Sequence, residues 1–151
     1  MKTLVVYDSV HGNTEKIARA IGSAIEGEVQ VLRAGDVDIS ALKTYDLVIV
    51  GAPTYGGRPT PAMLEFLAKV PAAAWQGKKV ASFDTRIPAK WVKIFGYAAG
   101  KIAGRLKKMG ATVLGSEGFF VKGTEGPLVE GELERAAALA QQWVTWVKWA
   151  K

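Results

Sequence analysis

The chain has 151 residues, 49% of them apolar and 23% charged, with 20 Lys and Arg against 14 Asp and Glu for a net charge of +6. This length and even composition predict a single domain over residues 1–151 with a core of its own. The absence of Cys and the presence of one His exclude disulfides, thiolate metal centres, a Cys nucleophile and a multi-His metal site, so any redox chemistry needs a bound organic cofactor.

No apolar run is long enough to cross a bilayer, and Met1-Lys2 leads straight into a strand pattern rather than a signal sequence. A cytoplasmic protein without stable membrane insertion is expected. The positive charge reads as spread through Lys2, Lys16, Lys43, Lys78, Lys79, Lys101, Lys107 and Lys108. With no arginine-rich arm beside it, nucleic acid is not expected as a partner, and the charge fits a solvated surface or an acidic protein partner.

Thr3 to Tyr7 is a short apolar, β-branched run, followed by a turn over Asp8 to Gly12 and then by Ile17, Ile21 and Ile25 with Ala at 18, 20 and 24. That pattern is a strand, a tight loop and a helix. Ser9, His11, Asn13 and Thr14 set short hydrogen-bonding side chains beside the N–H groups that a first helical turn leaves unpaired. With the partial positive charge of a helix start, such a loop can wrap a phosphate without a Lys or Arg of its own. Asn13 or Thr14 can equally be a plain helix cap, and the stretch alone does not choose between cradle and cap.

Gly27 ends the first helix, and Glu28 to Arg33 alternates as a second strand with Val29, Val31 and Ala34 on one face. Asp36 to Tyr45 is a polar connection with one helical turn. The run Asp46-Leu47-Val48-Ile49-Val50-Gly51 is nearly all apolar, as a strand covered on both faces requires, and belongs at the centre of the sheet. Ala52 to Pro61 follows as a loop with Gly56 and Gly57 at its middle and prolines stiffening its ends. A helix then starts at Thr60 or Pro61, runs through Met63, Leu64, Phe66 and Leu67, and stops at Val70-Pro71.

Lys78 to Thr85 is the fourth strand, and Asp84 to Pro88 forms a third loop at its end. Lys93 to Met109 reads as a helix whose Gly96, Gly100 and Gly104 predict close packing on the sheet. Ala111 to Lys122 is the fifth strand, Gly123 to Pro127 a turn, and Glu130, Glu132 and Glu134 gather at the start of the last helix. In that helix Trp143 and Trp146 are expected to share a core-facing side with Leu139 and Val147, while Trp149, Lys148 and Lys151 form a frayed end.

Five alternations of strand and helix imply an α/β fold: a parallel sheet with helices on both faces and right-handed crossovers. Ligands of such sheets bind beyond the strands' carboxyl ends, where the strand order reverses. The loops after strands one, three and four all leave carboxyl ends, so they converge on one rim.

With these residues in view the chain resembles the short-chain flavodoxins. Ser9-Val10-His11-Gly12-Asn13-Thr14 is similar to that family's hydroxyl-Gly-Asn-Thr phosphate loop, and Pro53-Thr54-Tyr55-Gly56-Gly57 supports the match, which runs the full length. The resemblance implies a three-layer flavodoxin-like fold, with a five-stranded parallel sheet of order 2-1-3-4-5, and FMN as cofactor. It places the phosphate on Ser9, Val10, His11, Gly12, Asn13 and Thr14. The isoalloxazine ring falls between Pro53, Thr54, Tyr55, Gly56 and Gly57 on one side and Asp84, Thr85, Arg86 and Ile87 on the other. Tyr55 would lie on the ring face, the Gly56-Gly57 peptide would turn a carbonyl toward flavin N5, backbone N–H groups near Asp84 to Arg86 would meet the pyrimidine edge, and Trp91 or Phe95 would cover the outer face.

The implied function is single-electron transfer between a reductase and an acceptor protein, by a monomer or weak dimer without catalytic residues. The alternatives are an FMN-dependent NAD(P)H:quinone oxidoreductase, or a domain of this fold that has lost FMN and acts in protein interaction. The chain departs from the usual acidity of the family. Arg58 and Arg86 flank the ring loops, and cations there would favour the anionic two-electron-reduced flavin.

Overall fold

The computed structural model describes residues 1–88 and 97–149. Its strands are β1 (Lys2–Tyr7), β2 (Glu28–Arg33), β3 (Leu47–Pro53), β4 (Lys79–Arg86) and β5 (Thr112–Phe120). They form one five-stranded sheet of order β2-β1-β3-β4-β5, every neighbouring pair parallel. The helices among the described residues are α1 (Asn13–Ser23), α2 (Pro61–Lys69), α3 (Ala72–Trp75), α4 (Ala98–Lys108) and α5 (Glu132–Trp149), with short 3₁₀ turns over Ala34–Asp36 and Ile39–Thr44. The expected architecture and strand order are therefore present.

β3 shows why the sheet is sandwiched. Its residues from Leu47 to Ala52 are fully covered, and successive side chains enter opposite layers, as the two-residue strand period demands. Leu47 and Ile49 join Val5, Ile17, Ile21, Phe83, Phe119 and Trp143 beneath α1 and α5. Val48 and Val50 join Met63, Phe66, Leu67, Trp75, Ile102 and Leu106 beneath α2, α3 and α4. Each such aliphatic or aromatic burial is worth about 1.5–3 kcal/mol, so the two layers hold the sheet from both sides. At Gly51 the Phe83 ring fills the space where a Cβ would stand, which ties the central strand to its neighbour.

Several expectations are corrected. Ala34 does not share the face of Val29 and Val31: β2 ends at Arg33, the chain turns into a 3₁₀ segment, and Ala34 lies in the opposite layer. The helical turn expected between strands two and three is two 3₁₀ segments, and Ala72–Trp75 forms an additional helical turn that delivers Trp75 to the core. β5 stops at Phe120 because Val121 bends into an antiparallel bridge with Leu128.

The glycine stripe of the fourth helix does not face the sheet. Ala98, Ala99, Ile102 and Leu106 form its buried side, whereas Gly100 and Gly104 are exposed with open space around them. Gly96 and the start of that helix at Lys93 lie outside the described residues. In α5 the seam is Ala136, Ala140, Trp143 and Val147, at helical spacing. Trp146, three residues after Trp143, is turned about 60° off that seam and is 38% exposed; Trp149 is 82% exposed. No described helix is long and apolar enough to cross a membrane.

Candidate functional site

The strand order reverses between β1 and β3, and the loops leaving these two strands border a cavity of about 230 Å³. Ser9, Val10, His11, Asn13, Thr14, Pro53, Thr54, Tyr55, Gly56, Thr85 and Arg86 line it, so eleven of the fourteen residues expected at a site meet in one place. Gly12, Gly57 and Asp84 do not line it. The first two shape the loops and the third lies in the core, as described below.

The first loop is built around Gly12, whose φ of +89° a Cβ would oppose. Neither Asn13 nor Thr14 caps the helix. Instead the Ser9 hydroxyl accepts from the N–H groups of Gly12 (3.1 Å) and Glu15 (3.3 Å), curling the loop over the start of α1. The N–H groups of Val10, His11, Asn13 and Thr14 find no acceptor among the described residues. A turn of helix with its donors open can seat an anion.

Asn13 and Thr14 brace this seat. Asn13 Nδ2 donates to the carbonyl of Glu125 (3.1 Å), tying the helix start to the loop after β5, and the Thr14 and Thr85 hydroxyls are 2.8 Å apart in a buried bond. Gly126, with φ of +103°, makes the first contact possible, since a Cβ there would strike the Asn13 amide. His11 Nε2 lies 3.5 Å from the Tyr55 hydroxyl, joining the first loop to the second.

A cation that the sequence reading did not find also supports the loop. Arg33, at the end of β2, donates to the Ser9 carbonyl (3.2 Å) and lies 3.6 Å from Asp8 and 3.5 Å from Glu15. Asp8 also accepts from the Thr60 hydroxyl. The Arg19 hydrogen bond holds the Glu15 carboxyl below its ordinary pKa, so the acid stays charged beside these cations. The sequence held no signal for it, because the parallel register of β1 and β2 that sets Arg33 opposite Tyr7 at the mouth of the loop is not written in either strand alone.

The second loop is a two-residue hairpin. Tyr55 and Arg58 exchange both backbone hydrogen bonds at 2.8 Å, with Gly56 at φ +52° and Gly57 at φ +78° between them. Positive φ at both central positions is the requirement of a tight hairpin turn that glycine meets without strain. Tyr55 is 40% exposed on the cavity rim.

The third loop differs most from expectation. Asp84 is fully buried: its carboxylate accepts from Arg86 Nε and Nη2, both at 2.7 Å, and from the Ala99 N–H at 2.9 Å. Arg86 in turn stacks on the Tyr97 ring, 3.4 Å from its centroid, and crosses Gly118, where a Cβ would collide with the guanidinium. The Thr54 hydroxyl accepts from the Ala98 N–H at 3.0 Å, so Thr54 and Asp84 together cap α4. The expectation that Arg58 and Arg86 both bring positive charge to the ring loops is corrected for Arg86. Arg86 reaches the cavity wall with its charge answered by Asp84, while Arg58 remains exposed.

Ile87, which the resemblance sets beside the ring, lines the cavity as well; Val121 and Thr124 also line it and were not anticipated. The carboxyl-end rule, applied to β5 as it was to β1, β3 and β4, would have drawn in the Gly123 to Pro127 turn. Trp91 and Phe95 lie outside the described residues.

A family model described as Flavodoxin matches residues 5–146. The chain is similar to the flavodoxin of Maridesulfovibrio salexigens, with 32% identity over 121 residues covering 76% of this chain and 82% of that protein. Among solved structures, a flavodoxin from the domain Archaea superposes with a TM-score of 0.83 at 30% identity, covering 98% of this chain and 99% of that one. The two-electron reduced flavodoxin of Megasphaera elsdenii gives a TM-score of 0.72 at 26% identity, covering 93% and 98%.

Proposed function

The chain belongs to the flavodoxin family, and from that premise we propose that it binds FMN in the cavity at the sheet's reversal point and carries electrons between redox partner proteins. The observation that carries this reading is the cluster of open N–H donors at Val10, His11, Asn13 and Thr14, set at a helix start on the cavity wall.

The donor set suits FMN. Its phosphate needs hydrogen-bond donors and a favourable field, which the loop from Ser9 to Thr14 offers, with Arg33 close behind it. Its flat ring needs apolar walls, which Tyr55, Pro53, Ile87 and Val121 offer between the second loop, the third loop and the loop after β5. Bound FMN supplies one- and two-electron redox chemistry, which the side chains of this Cys-free protein cannot supply themselves.

The chain's own contribution is placement and field. Ser9 fixes the phosphate loop, Asn13 and Thr14 anchor it to the loop after β5 and to β4, and Tyr55 bounds the cavity beside His11. The Gly56-Gly57 turn keeps backbone peptide groups at the rim free to reorient, because neither residue meets a steric barrier at positive or negative φ. The Arg86–Asp84 pair brings no net charge to the wall, so of the two arginines that flank the ring loops Arg58 is the one left to act on a bound ring.

FMN titrated into apoprotein, followed by quenching of flavin fluorescence, is expected to saturate at one equivalent with submicromolar affinity and to give a flavoprotein absorption spectrum. An apoprotein that takes up riboflavin as tightly as FMN would overturn the role given to the phosphate loop. One that binds neither would overturn the proposal.

A further inference from the structure

The positive charge of this chain is not spread evenly. Between Asp84 and Glu117 there is no carboxylate, and the intervening residues hold Arg86, Lys90, Lys93, Lys101, Arg105, Lys107 and Lys108. The rest of the chain has 13 Lys and Arg against 14 Asp and Glu, so this one segment accounts for the whole net charge. Its described residues include the end of β4, α4 and the start of β5.

Within the segment Arg86 is answered by Asp84, and several cations elsewhere are answered too: Arg19 by Glu15, Arg33 by Asp8 and Glu15, Lys122 by Glu130, and Arg135 by Glu117 and Glu132. Lys101, Arg105, Lys107 and Lys108 have no carboxylate partner among the described residues. The last three sit in the final turn, where a cation complements the helix dipole. Lys101 sits near the positive N-terminal end, where the dipole opposes it. Intrahelical electrostatics therefore do not account for the set.

The helix starts at the cavity. Its first N–H groups are held by cavity-lining Thr54 and by Asp84, and Tyr97 just before it carries the stacked Arg86. Its eleven residues run about 16 Å away from that wall. Lys101 and Lys108, seven residues apart, lie on one exposed side. Gly100 and Gly104, with nothing within 4 Å of where a Cβ would stand, leave the outer surface low between the cations.

We propose that the exposed face of α4 is a docking surface for a carboxylate-rich protein that exchanges electrons at the adjoining cavity. The inference rests on the electron-carrier reading for its purpose and on charge complementarity for its partner. A concentrated unpaired field steers an oppositely charged protein into encounter, and its position beside the cavity wall brings that protein to the redox site. The described face offers no exposed aromatic side chain for base stacking and no exposed large apolar side chain for insertion into lipid, which favours a protein over a nucleic acid or a membrane.

The test uses the FMN-loaded full chain and an acidic [2Fe–2S] ferredoxin as the probe, with binding measured by calorimetry at low and high salt. Lys101→Glu combined with Lys108→Glu is expected to weaken binding about tenfold or more at low salt, with the difference fading as the charges are screened. The control, Lys16→Glu combined with Lys148→Glu, makes the same change in net charge on the opposite layer and is expected to weaken it less than about threefold. Equal losses in the two pairs, or no ferredoxin binding at low salt, would overturn the proposal. So would tighter, α4-dependent binding of duplex DNA or of vesicles of equal parts phosphatidylserine and phosphatidylcholine. FMN affinity is measured on each variant separately and is expected unchanged. A chain that binds ferredoxin through α4 yet takes up no FMN would remove the electron-carrier reading alone.

Discussion

Arg86 reaches back two residues along β4 and grips the buried carboxylate of Asp84 through two hydrogen bonds of 2.7 Å. Breaking a buried pair by removing one partner costs roughly 3–5 kcal/mol, because the survivor is left desolvated and unanswered. Arg86 keeps 17% of its side chain exposed, so Asp84→Asn belongs at the low end of that range. Arg86→Ala strands a fully buried carboxylate with only the Ala99 N–H and is expected to cost more. Urea unfolding of both single variants and the double variant checks this: the double is expected to be less destabilised than the sum of the singles, and simple additivity would show that the two groups are not coupled.

The loop proposed to hold the phosphate yields a second prediction, since its side chains also brace the fold around it. Thr14→Val removes the partner of the Thr85 hydroxyl, and Asn13→Ala cuts the tie to Glu125. A hydrogen bond to a charged group is worth about 1.5–3 kcal/mol, so each variant is expected to weaken FMN binding by about tenfold or more. Each is expected to lower stability by only about 1 kcal/mol. Flavin fluorescence titration beside a denaturant melt separates the two effects, and unchanged FMN affinity in both variants would count against the assignment of this loop.

These two sites show where the sequence was readable. The strand order, the central place of β3 and the meeting of Ser9 to Thr14 with Pro53 to Gly56 were legible because they depend on local period and on a topological rule. The Arg86–Asp84–Tyr97 stack was not, because it depends on Gly118 lying opposite Asp84 across a strand pair, and register is not written in either strand alone. Arg33 escaped for the same reason. The outward turn of Gly100 and Gly104 was misread because spacing fixes which residues share a helix side, while the larger apolar set of Ala98, Ile102 and Leu106 decides which side is buried.

Glu132 gives a pH prediction. Its carboxylate accepts from Arg135 Nε (2.9 Å) and Nη2 (2.7 Å) and from the Phe120 N–H (2.7 Å), pinning the start of α5 to the end of β5. The Arg135 hydrogen bond, aided by that of Phe120, outweighs burial and holds the carboxyl below its ordinary range. A carboxyl with a lowered folded-state pKa contributes stability above its unfolded pKa, near 4.3, and loses it as pH falls through the folded value. Glu132→Gln is therefore expected to cost about 1–2 kcal/mol at neutral pH. Its curve should meet that of the unaltered protein in the acid range, and thermal melts from neutral pH downward that stay parallel throughout would refute the account.

The exposed glycines of α4 allow a prediction of opposite sign. A glycine inside a helix costs about 0.8–1 kcal/mol relative to alanine, because it gives up more backbone freedom on folding. Such a residue is usually retained for a positive φ or a close contact, but Gly100 and Gly104 lie within the regular helix, and a Cβ on either would stand in open space. Gly100→Ala and Gly104→Ala are each expected to raise the unfolding free energy by about 0.5–1 kcal/mol, and to add when combined because each Cβ is free of contacts. Chemical denaturation measures this directly. A loss of stability in either variant would mean that the outer surface of α4 is covered in the folded protein, and the docking surface proposed there would have to be withdrawn with it.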